Sequence, residues 1–349
     1  WLKFSHRWLE TEIERQVFED GSNFETSTSY HRLSFEMFLW ADLMANSLKK
    51  PFSKLYRDRI SGMASFVESY TSPSGKAVQF GDNDGGRFLT VGIEDPNDHR
   101  YLLKGECGFG GISNRNLFGR GVEPKVKKEG AFKQGGYWFG ECNDAWIGVR
   151  AGEVSHAGAH AHADQLSFCL TIQAFDLIAD PGTGIYTGSV EKRNAYRSTS
   201  AHNAPQLNDY ETNQFPGGLA GLFRMSDNTK TEVLVWQSDV DEVKFEAKHH
   251  GYERYRENSV CGRKVELVSG RLTIEDKISE LTEDDSLAWT FRLAPGIEAD
   301  IDQDKAILSI SDLKVKITTE PELDLEIIKV SYSPTYGVEQ PTLALKMKR

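Results

Sequence analysis

The sequence predicts a multidomain α+β protein in which helices come first and a larger antiparallel β part follows. Three observations carry this prediction. Apolar residues recur at helical spacing over residues 1–70, a break rich in Ser, Pro and Gly follows at 71–75, and short alternating segments separated by turn residues fill the remainder. We therefore place a helical domain at residues 1–75 and a β domain at residues 76–349.

Three amphipathic helices account for the first part. Leu9, Ile13 and Val17 recur at a spacing of four, which puts them on one face of a helix. Two further stripes repeat every three or four residues, at Leu33, Met37, Trp40 and Met44 and at Tyr56, Ile60, Met63, Val67 and Tyr70. Packing into a core is a sufficient explanation for all three stripes.

The β part shows two clear local signals. Apolar and other residues alternate over residues 166–172, as expected of a strand with one face buried. Residues 265–268 and 271–274 read as two strands joined by Ser269 and Gly270, a two-residue hairpin. Many short segments of this kind are typical of a sandwich of two sheets.

The composition limits the possible partners. A net charge of −11 argues against a nucleic-acid-binding surface, because phosphate binding needs a positive face. It leaves an acidic polysaccharide open, since a locally basic cleft can lie on an acidic protein. Four arginines lie near the motifs described below: Arg32, Arg87, Arg193 and Arg197.

Cysteine spacing and hydropathy argue against three further features. The four cysteines are widely spaced, so neither a thiolate zinc site nor a disulfide framework is predicted: they are Cys107, Cys142, Cys169 and Cys261. The best apolar stretch, residues 168–179, is interrupted by polar residues, so no membrane-spanning helix is predicted.

A histidine-rich run, HAGAHAHAD, predicts a metal site. His160, His162 and Asp164 lie two residues apart, so an extended chain turns all three to one face. Imidazole nitrogens together with a carboxylate suit zinc or a similar divalent ion. Asp180, in the string ADPG, and His202, in the string SAHN, are candidates for the remaining ligands.

Histidines also occur in cupins and as isolated polar groups. A cupin begins with the same His-x-His pattern but needs a glutamate a few residues later, where Leu166, Ser167 and Phe168 stand instead. A solitary histidine is usually a surface group or a hydrogen-bonded one, which is the reading we favour for His6, His99, His249 and His250.

Five strings occur together in an order that resembles the heparinase II/III-like family of polysaccharide lyases, which is related to alginate lyases. They are EDGSNFETSTSYH, GDNDGGR, HAHADQLSF, LIADPGTGIY and NAYRSTSAHN, within residues 1–209. The resemblance implies the C-terminal part of an α/α toroid followed by a large antiparallel β-sandwich. It also implies a cleft between them, with Tyr30 on the helical wall and His160 on the β wall.

The implied reaction is β-elimination on a uronic acid in an acidic polysaccharide. The weakly acidic C5 proton needs a base, the neighbouring carboxylate must be neutralised, and an acid must assist the departure of the C4 oxygen. By resemblance, Tyr30 is the catalytic acid or acid/base, and His160 is a base or a partner of the carboxylate.

The resemblance also assigns the other site residues. His162, Asp180 and His202 are expected to hold a structural zinc ion that braces the floor of the cleft. Four residues are expected to contact the substrate: His31, Arg193, Tyr196 and Arg197.

Two other functions stay open at this point. One is a non-catalytic glycan-binding protein of polysaccharide assembly, and the other is a metal-dependent hydrolase with Asp164 or Glu153 as its base. The resembled family also adds an asparagine or histidine from well upstream, whereas only 29 residues precede Tyr30. We expect either a longer natural N-terminus or the loss of that group. The full-length protein is expected in the periplasm or outside the cell, with the cytoplasm as the alternative.

Overall fold

The computed structural model describes residues 1–88, 95–103, 108–109, 112–113, 130–154 and 158–349. Cys107 and His156 lie outside the described residues.

The three predicted helices are present at the start of the chain. They are α1 (Leu2–Gln16), α2 (Thr28–Ser47) and α3 (Lys54–Tyr70), and a later helix, α4, spans Val190–Arg197. Short 3-10 helices cover Arg100–Leu102, Thr199–Ala201 and Leu219–Phe223. Within the described parts of the chain, no helix is both long and apolar enough to cross a membrane.

The remaining described elements are mainly β-strands. They are β1 (Gly108–Phe109), β2 (Ile112–Ser113), β3 (Ala131–Phe132), β4 (Tyr137–Cys142), β5 (Ala145–Arg150), β6 (Phe168–Ile172), β7 (Phe175–Ile178), β8 (Pro205–Leu207), β9 (Glu232–Ser238), β10 (Glu242–His249), β11 (Cys261–Val268), β12 (Arg271–Ile278), β13 (Leu287–Arg292), β14 (Glu298–Asp302), β15 (Lys305–Ile310), β16 (Leu313–Thr318), β17 (Asp324–Thr335) and β18 (Val338–Lys348). The architecture is therefore mixed α+β, as predicted.

The strands form antiparallel sheets. The strand orders are β3-β4-β5-β6-β7, β12-β11-β10-β9, β17-β18-β13-β8 and β14-β15-β16, beside the pair β1-β2. The predicted hairpin is confirmed: Val268 pairs with Arg271, and the turn residues Ser269 and Gly270 have φ of 49° and 76°. These are the left-handed angles that a two-residue hairpin turn of type I′ requires.

The strand predicted at 166–172 is two residues shorter than expected and is buried on both faces. β6 begins at Phe168, because Leu166 adopts a left-handed φ of 64° in the turn before it. Its first four residues are all buried, including Cys169 and Thr171, which occupy the positions expected to face solvent. The two faces of this strand therefore pack into two different cores, and neither face is turned to solvent.

Helices cover one face of the β3–β7 sheet. Phe139, Trp146 and Cys169 from this sheet share a hydrophobic core with helical residues such as Phe66 and Tyr70. Burial of large aromatic side chains is among the strongest favourable terms in folding, at about 2 to 3 kcal/mol each. This core fixes α3 against the sheet.

Other sheets cover the opposite face. Ile147, Val149 and Phe168 of the same sheet belong to a second core, which they share with Phe245 on β10 and Phe291 on β13. The β3–β7 sheet is thus the layer between the helices and the remaining strands.

The segment around residues 78–83 ties the start of α2 to the β part. The Thr28 N–H donates to the Phe80 carbonyl at 3.1 Å, and the Ser27 hydroxyl donates to the Asp82 carbonyl at 2.6 Å. From the other side, the Asp82 N–H donates to the His160 carbonyl at 2.9 Å. A Cβ at Gly81, where φ is 73°, would lie within 2.7 Å of the His160 carbonyl oxygen, so this close approach requires glycine.

Candidate active site

Tyr30 and His160 meet where the helices join the β part. Tyr30 lies in the first turn of α2, and its ring stacks on the His160 imidazole with centroids 3.6 Å apart and an interplanar angle of 15°. The two residues come from the positions that the sequence predicted for opposite walls of a cleft. The structure therefore brings the predicted catalytic pair into contact.

The Tyr30 hydroxyl is held by two partners. It donates to Asp84 Oδ2 at 3.0 Å and lies 3.3 Å from the Tyr186 hydroxyl. Burial, with the negative charge of Asp84 acting in the same direction, raises the pKa of the Tyr30 phenol well above its usual value. At neutral pH the side chain is a phenol with a proton to give.

The His160 ring lies between two carboxylates. Its Nδ1 is 3.1 Å from Asp82 Oδ2, and its Nε2 is 3.2 Å from Glu25 Oε2. The His160 side chain is 15% exposed, whereas the side chain of Asp82 is fully buried. The Nε2 edge is therefore the one next to solvent-accessible groups, and the Nδ1 edge faces the interior.

Asp82 is the centre of a buried charge network. Arg193 contacts both of its oxygens, with Nη2 at 2.7 Å from Oδ2 and Nη1 on Oδ1, and His162 Nε2 lies 2.9 Å from Oδ1. Burial alone would raise the pKa of Asp82, but the Arg193 charge and the hydrogen bonds from His160 and His162 outweigh it and hold that pKa well below its usual range. Asp82 is an ionised carboxylate.

The three predicted metal ligands converge beneath this network. One nitrogen or carboxylate oxygen from each of His162, Asp180 and His202 lies within 4.8 Å of the others, and all three residues are buried. His162 Nδ1 and His202 Nε2 have no hydrogen-bond partner among the described atoms. Two unpartnered imidazole nitrogens beside a carboxylate form the donor set that zinc takes in proteins, so the residues fit the ion.

Neighbouring carboxylates orient both imidazoles of the cluster. His202 Nδ1 lies 2.9 Å from Asp180 Oδ2, and Asp82 faces His162 Nε2. Burial lowers the pKa of His162, since the raising effect of Asp82 is smaller. Burial also acts to lower the pKa of His202, but the charge and hydrogen bond of Asp180 outweigh it and raise that pKa. Asp82, which is not one of the three candidate ligands, leaves Nδ1 of His162 facing the position that a metal would take.

The four residues that were predicted to contact the substrate are buried. His31 is fully buried and hydrogen-bonds through Nε2 to the Met63 carbonyl at 3.2 Å. Arg193 and Arg197 are 0% and 1% exposed, and Tyr196 is 6% exposed. Direct substrate contact by these side chains stays a prediction, and their burial argues against it.

The arginines have protein partners instead. Arg193 contacts Asp82, and Arg197 donates through Nη1 to the Leu222 carbonyl at 3.1 Å and through Nη2 to the Gly221 carbonyl at 2.9 Å. Their position near the motifs reflects bracing of the site rather than an open basic surface.

Four residues of the site had no role assigned from the sequence: Glu25, Asp82, Asp84 and Tyr186. Each lies within one of the strings that carried the family resemblance. Acidic residues repeated within the string GDNDGGR were a signal for the two aspartates. The partners of these residues lie far away in sequence, so the string alone did not reveal them.

Two family models match the chain. The model described as heparinase II/III-like, C-terminal, matches residues 124–346, and the model of the heparinase II/III N-terminus matches residues 1–88. The chain belongs to the heparinase II/III-like family. The resemblance read from the five strings is thereby confirmed.

Curated relatives of this heparinase II/III-like chain include two heparin-sulfate lyases. The one from Pedobacter heparinus is 27% identical over 229 residues, which is 60% of this chain and 33% of that protein. The one from Bacteroides stercoris is 26% identical over 231 residues, which is 61% of this chain and 33% of that protein. The matches span about a third of the curated relatives' length.

Solved structures share the fold. A heparan sulfate lyase from Pedobacter heparinus superimposes with a TM-score of 0.71 at 19% identity, covering 98% of this chain and 52% of that one. A heparinase III structure gives a TM-score of 0.73 at 15% identity, covering 99% of this chain and 54% of that one. The heparinase II/III-like chain spans about half the length of these structures.

Proposed function

We propose that this heparinase II/III-like chain carries the catalytic centre of a polysaccharide lyase that cleaves a uronic-acid-containing glycan by β-elimination. The observation that carries the proposal is the stack of Tyr30 on His160, which puts a protonated phenol against the face of an imidazole. The relatives named as heparin-sulfate lyases support a glycosaminoglycan, and heparan sulfate first, as the substrate.

The reaction divides between these two side chains. His160 Nε2, once the Glu25 carboxylate moves aside, takes the C5 proton of the uronate. The electron pair of the C5–H bond forms the C4–C5 double bond, the C4–O bond breaks, and the Tyr30 hydroxyl gives its proton to the departing oxygen. The raised pKa of Tyr30 supports this role, because the phenol keeps its proton until the leaving oxygen develops charge.

We infer a structural zinc ion at His162, Asp180 and His202. When bound, zinc would hold these three side chains together and add to the stability of the cleft floor. The unpartnered nitrogens of His162 and His202 support this assignment. Residues of the chain, and not the ion, perform the proton transfers.

The architecture that we propose is the end of an α/α toroid at residues 1–75 followed by a stacked antiparallel β-sandwich at 76–349. An exposed apolar face at the start of the first helix supports the toroid, since Trp1, Phe4 and Trp8 are 99%, 58% and 50% exposed. A polymeric glycan substrate fits action in the periplasm or outside the cell.

The test is ultraviolet absorbance of unsaturated uronate ends. The longest natural form of the protein is mixed with heparan sulfate, alginate and hyaluronan in separate reactions. We expect absorbance to rise with at least one glycan and the rate to fall about 10²- to 10⁴-fold in Tyr30→Phe, as loss of a general acid does.

Tyr56→Phe is the matched control. Its buried hydroxyl donates to the Phe38 carbonyl at 2.9 Å within the helical part, so its removal costs stability without touching the site. Equal rates in Tyr30→Phe and Tyr56→Phe would reject the role of Tyr30. Saturated product ends would indicate a hydrolase, and glycan binding without turnover would indicate a binding protein.

A further inference from the structure

We propose that Asp82 is a positioning residue that couples the metal cluster to the orientation of His160. The inference deepens the proposed lyase function and rests on it for the catalytic role of His160. Asp82 belongs neither to the catalytic pair nor to the three candidate ligands. It is the residue through which they are connected.

The two oxygens of Asp82 serve different halves of the site. Oδ2 lies 3.1 Å from His160 Nδ1, and Oδ1 lies 2.9 Å from His162 Nε2. One rigid carboxylate therefore bonds the proposed base and a candidate metal ligand at the same time. A rotation that improved one contact would weaken the other.

These contacts fix which ring nitrogens carry hydrogen. A carboxylate paired through both oxygens with the Arg193 guanidinium accepts hydrogen bonds, so His162 donates to it from Nε2 and His160 from Nδ1. His162 Nδ1 is then left with a free lone pair, and this buried atom has no partner among the described residues. A bound metal needs that lone pair, so metal binding and the Asp82 contact demand the same tautomer of His162.

The same carboxylate fixes the outward edge of His160. With Nδ1 committed to Asp82, only Nε2 is left for the cleft side, where it lies 3.2 Å from Glu25 Oε2. A metal ion bound to His162 would hold this imidazole against Asp82, and the Asp82 carboxylate in turn holds the His160 ring. Metal binding would thereby affect the proposed base through Asp82.

Arg193 holds the Asp82 carboxylate in place. Its guanidinium contacts both Asp82 oxygens, and its Nε donates to the Leu222 carbonyl at 3.2 Å. Because the planar guanidinium pairs with both oxygens of the carboxylate, the carboxylate has little freedom to rotate. The side chains of Asp82 and Arg193 are both fully buried, so the clamp is not open to substrate.

The backbone of Asp82 extends the coupling to the helical wall. Its carbonyl accepts from Ser27 Oγ at 2.6 Å, and the same Ser27 oxygen accepts from the Tyr30 N–H at 3.1 Å. Its N–H donates to the His160 carbonyl at 2.9 Å. The backbone of Asp82 is thus connected to His160 by one hydrogen bond, and to the backbone of Tyr30 by two successive hydrogen bonds through Ser27.

The test is Asp82→Asn in the full natural protein, with zinc as the probe. An amide offers one oxygen and one NH₂ group, so one histidine N–H faces a donor instead of an acceptor. We expect zinc affinity, measured by competition with a chelator, to fall about 10- to 100-fold. We also expect the ¹⁵N spectrum of labelled histidines to lose the Nδ1–H form of His160.

The kinetic expectation is specific to positioning. Since Asp82 has no exposed surface, kcat falls while KM changes little. Asp82→Glu keeps the charge but displaces it, so it should recover part of the zinc affinity and not the full kcat. Asp98→Asn is the matched control, because it removes a buried carboxylate bonded to Arg100 outside the site.

The outcomes separate this proposal from the lyase function. Unchanged zinc affinity together with an unchanged His160 spectrum in Asp82→Asn would overturn the coupling, even if the parent protein is an active lyase. A parent without turnover, whose His160 spectrum still responds to zinc and loses that response in Asp82→Asn, would keep the coupling and reject the lyase. A parent that binds no zinc would overturn the coupling.

A second variant covers the case in which Asp82→Asn does not fold. Arg193→Lys keeps the positive charge but removes the bidentate clamp. We expect the same direction of change in the zinc affinity and in the His160 spectrum, at smaller size. Parent-like values for both would overturn the proposal.

Discussion

Two pairs of buried histidines lie in different settings, and the contrast separates a candidate ligand from a core histidine. His162 and His202 lie in the candidate metal cluster, whereas His31 and His249 lie in packed interiors. All four are fully buried, and each has one ring nitrogen without a hydrogen-bond partner among the described atoms. An unpartnered buried nitrogen therefore does not by itself distinguish a ligand from a core histidine.

The partner of the other nitrogen makes the distinction. In the cluster that nitrogen meets a carboxylate, Asp82 for His162 and Asp180 for His202. In the interiors it meets backbone, the Met63 carbonyl for His31 and the Gly251 N–H for His249. A carboxylate orients the ring and increases its basicity, which prepares the free nitrogen for a cation.

The backbone-bonded histidines have no such compensation. Burial lowers the pKa of His31 to about 3 and that of His249 to about 3, so both stay neutral in the folded protein at neutral pH. His202, by contrast, has a raised pKa because of Asp180 despite its burial. The two settings differ in electrostatics and not in exposure.

The largest expected effect is a difference between variants of the two kinds of histidine in how much zinc stabilises the folded protein. An ion that binds the folded state alone adds about 4 kcal/mol to the free energy of unfolding at a thousandfold excess over its Kd. We expect His162→Asn to lose most of this gain and His249→Asn to keep it, because only the first removes a proposed ligand. Chemical unfolding with and without zinc measures the gain within each variant.

Comparison within each variant removes the cost that either substitution has on packing. An equal response to zinc in His162→Asn and in the parent would show that His162 is not a ligand. Loss of the response in His249→Asn would show that burial alone, and not the carboxylate pairing, marks the metal-binding histidines.

A smaller effect is expected from acid. Unfolded His249 takes up a proton near pH 6.5, whereas the folded residue stays neutral to about pH 3. The folded protein therefore binds fewer protons in this range, and the free energy of unfolding decreases as pH falls below 6.5. One such group costs about 2 to 3 kcal/mol by pH 4.5.

His249→Asn should flatten this dependence. We expect the free energy of unfolding, measured in urea at pH 6.5, 5.5 and 4.5 without zinc, to fall less steeply in the variant than in the parent by about 1 kcal/mol per pH unit. The range above pH 4.5 avoids most carboxylate titration. Parallel curves for variant and parent would contradict the neutral state of folded His249.

Local patterns predicted the elements and the convergence of the three candidate ligands. The stripes of the three helices, the turn at Ser269 and Gly270, and the trio His162, Asp180 and His202 all rest on residues close in sequence or on short strings. Periodicity and turn chemistry are local properties, so a single sequence carries them. Leu166 shows the limit of such local prediction, since its left-handed backbone keeps it out of the strand although the alternation of apolar residues in the sequence includes it.

Contacts between residues far apart in the sequence were not predictable in the same way. Asp82 meets His160 across 78 positions and Arg193 across 111, and packing of separate elements decides such pairs. The family resemblance led us to expect Arg193 as a substrate contact. A buried carboxylate between two imidazoles is stable only with a compensating cation, and Arg193 supplies that charge within the protein.

The smallest expected effect extends the comparison to two helix caps. Ser27 and Ser53 each accept, through Oγ, the N–H of the residue three positions on, Tyr30 and Tyr56, at 3.1 Å. Replacement of either serine by alanine should cost about 1 kcal/mol of stability. Only Ser27 also donates to Asp82, and only its helix begins with the proposed acid.

We therefore expect similar losses of stability but different losses of activity. Ser27→Ala should lower kcat severalfold with little change in KM, because Tyr30 and Asp82 lose their common anchor. Ser53→Ala should leave both constants at the parent values, since Ser53 otherwise bonds to Glu10 at the surface. Thermal unfolding and initial rates on the best glycan measure the two effects separately. Equal kinetic effects in both variants would mean that the caps act through helix stability alone, whereas a defect confined to Ser27→Ala would show that the bond between Ser27 and Asp82 holds the two walls in register.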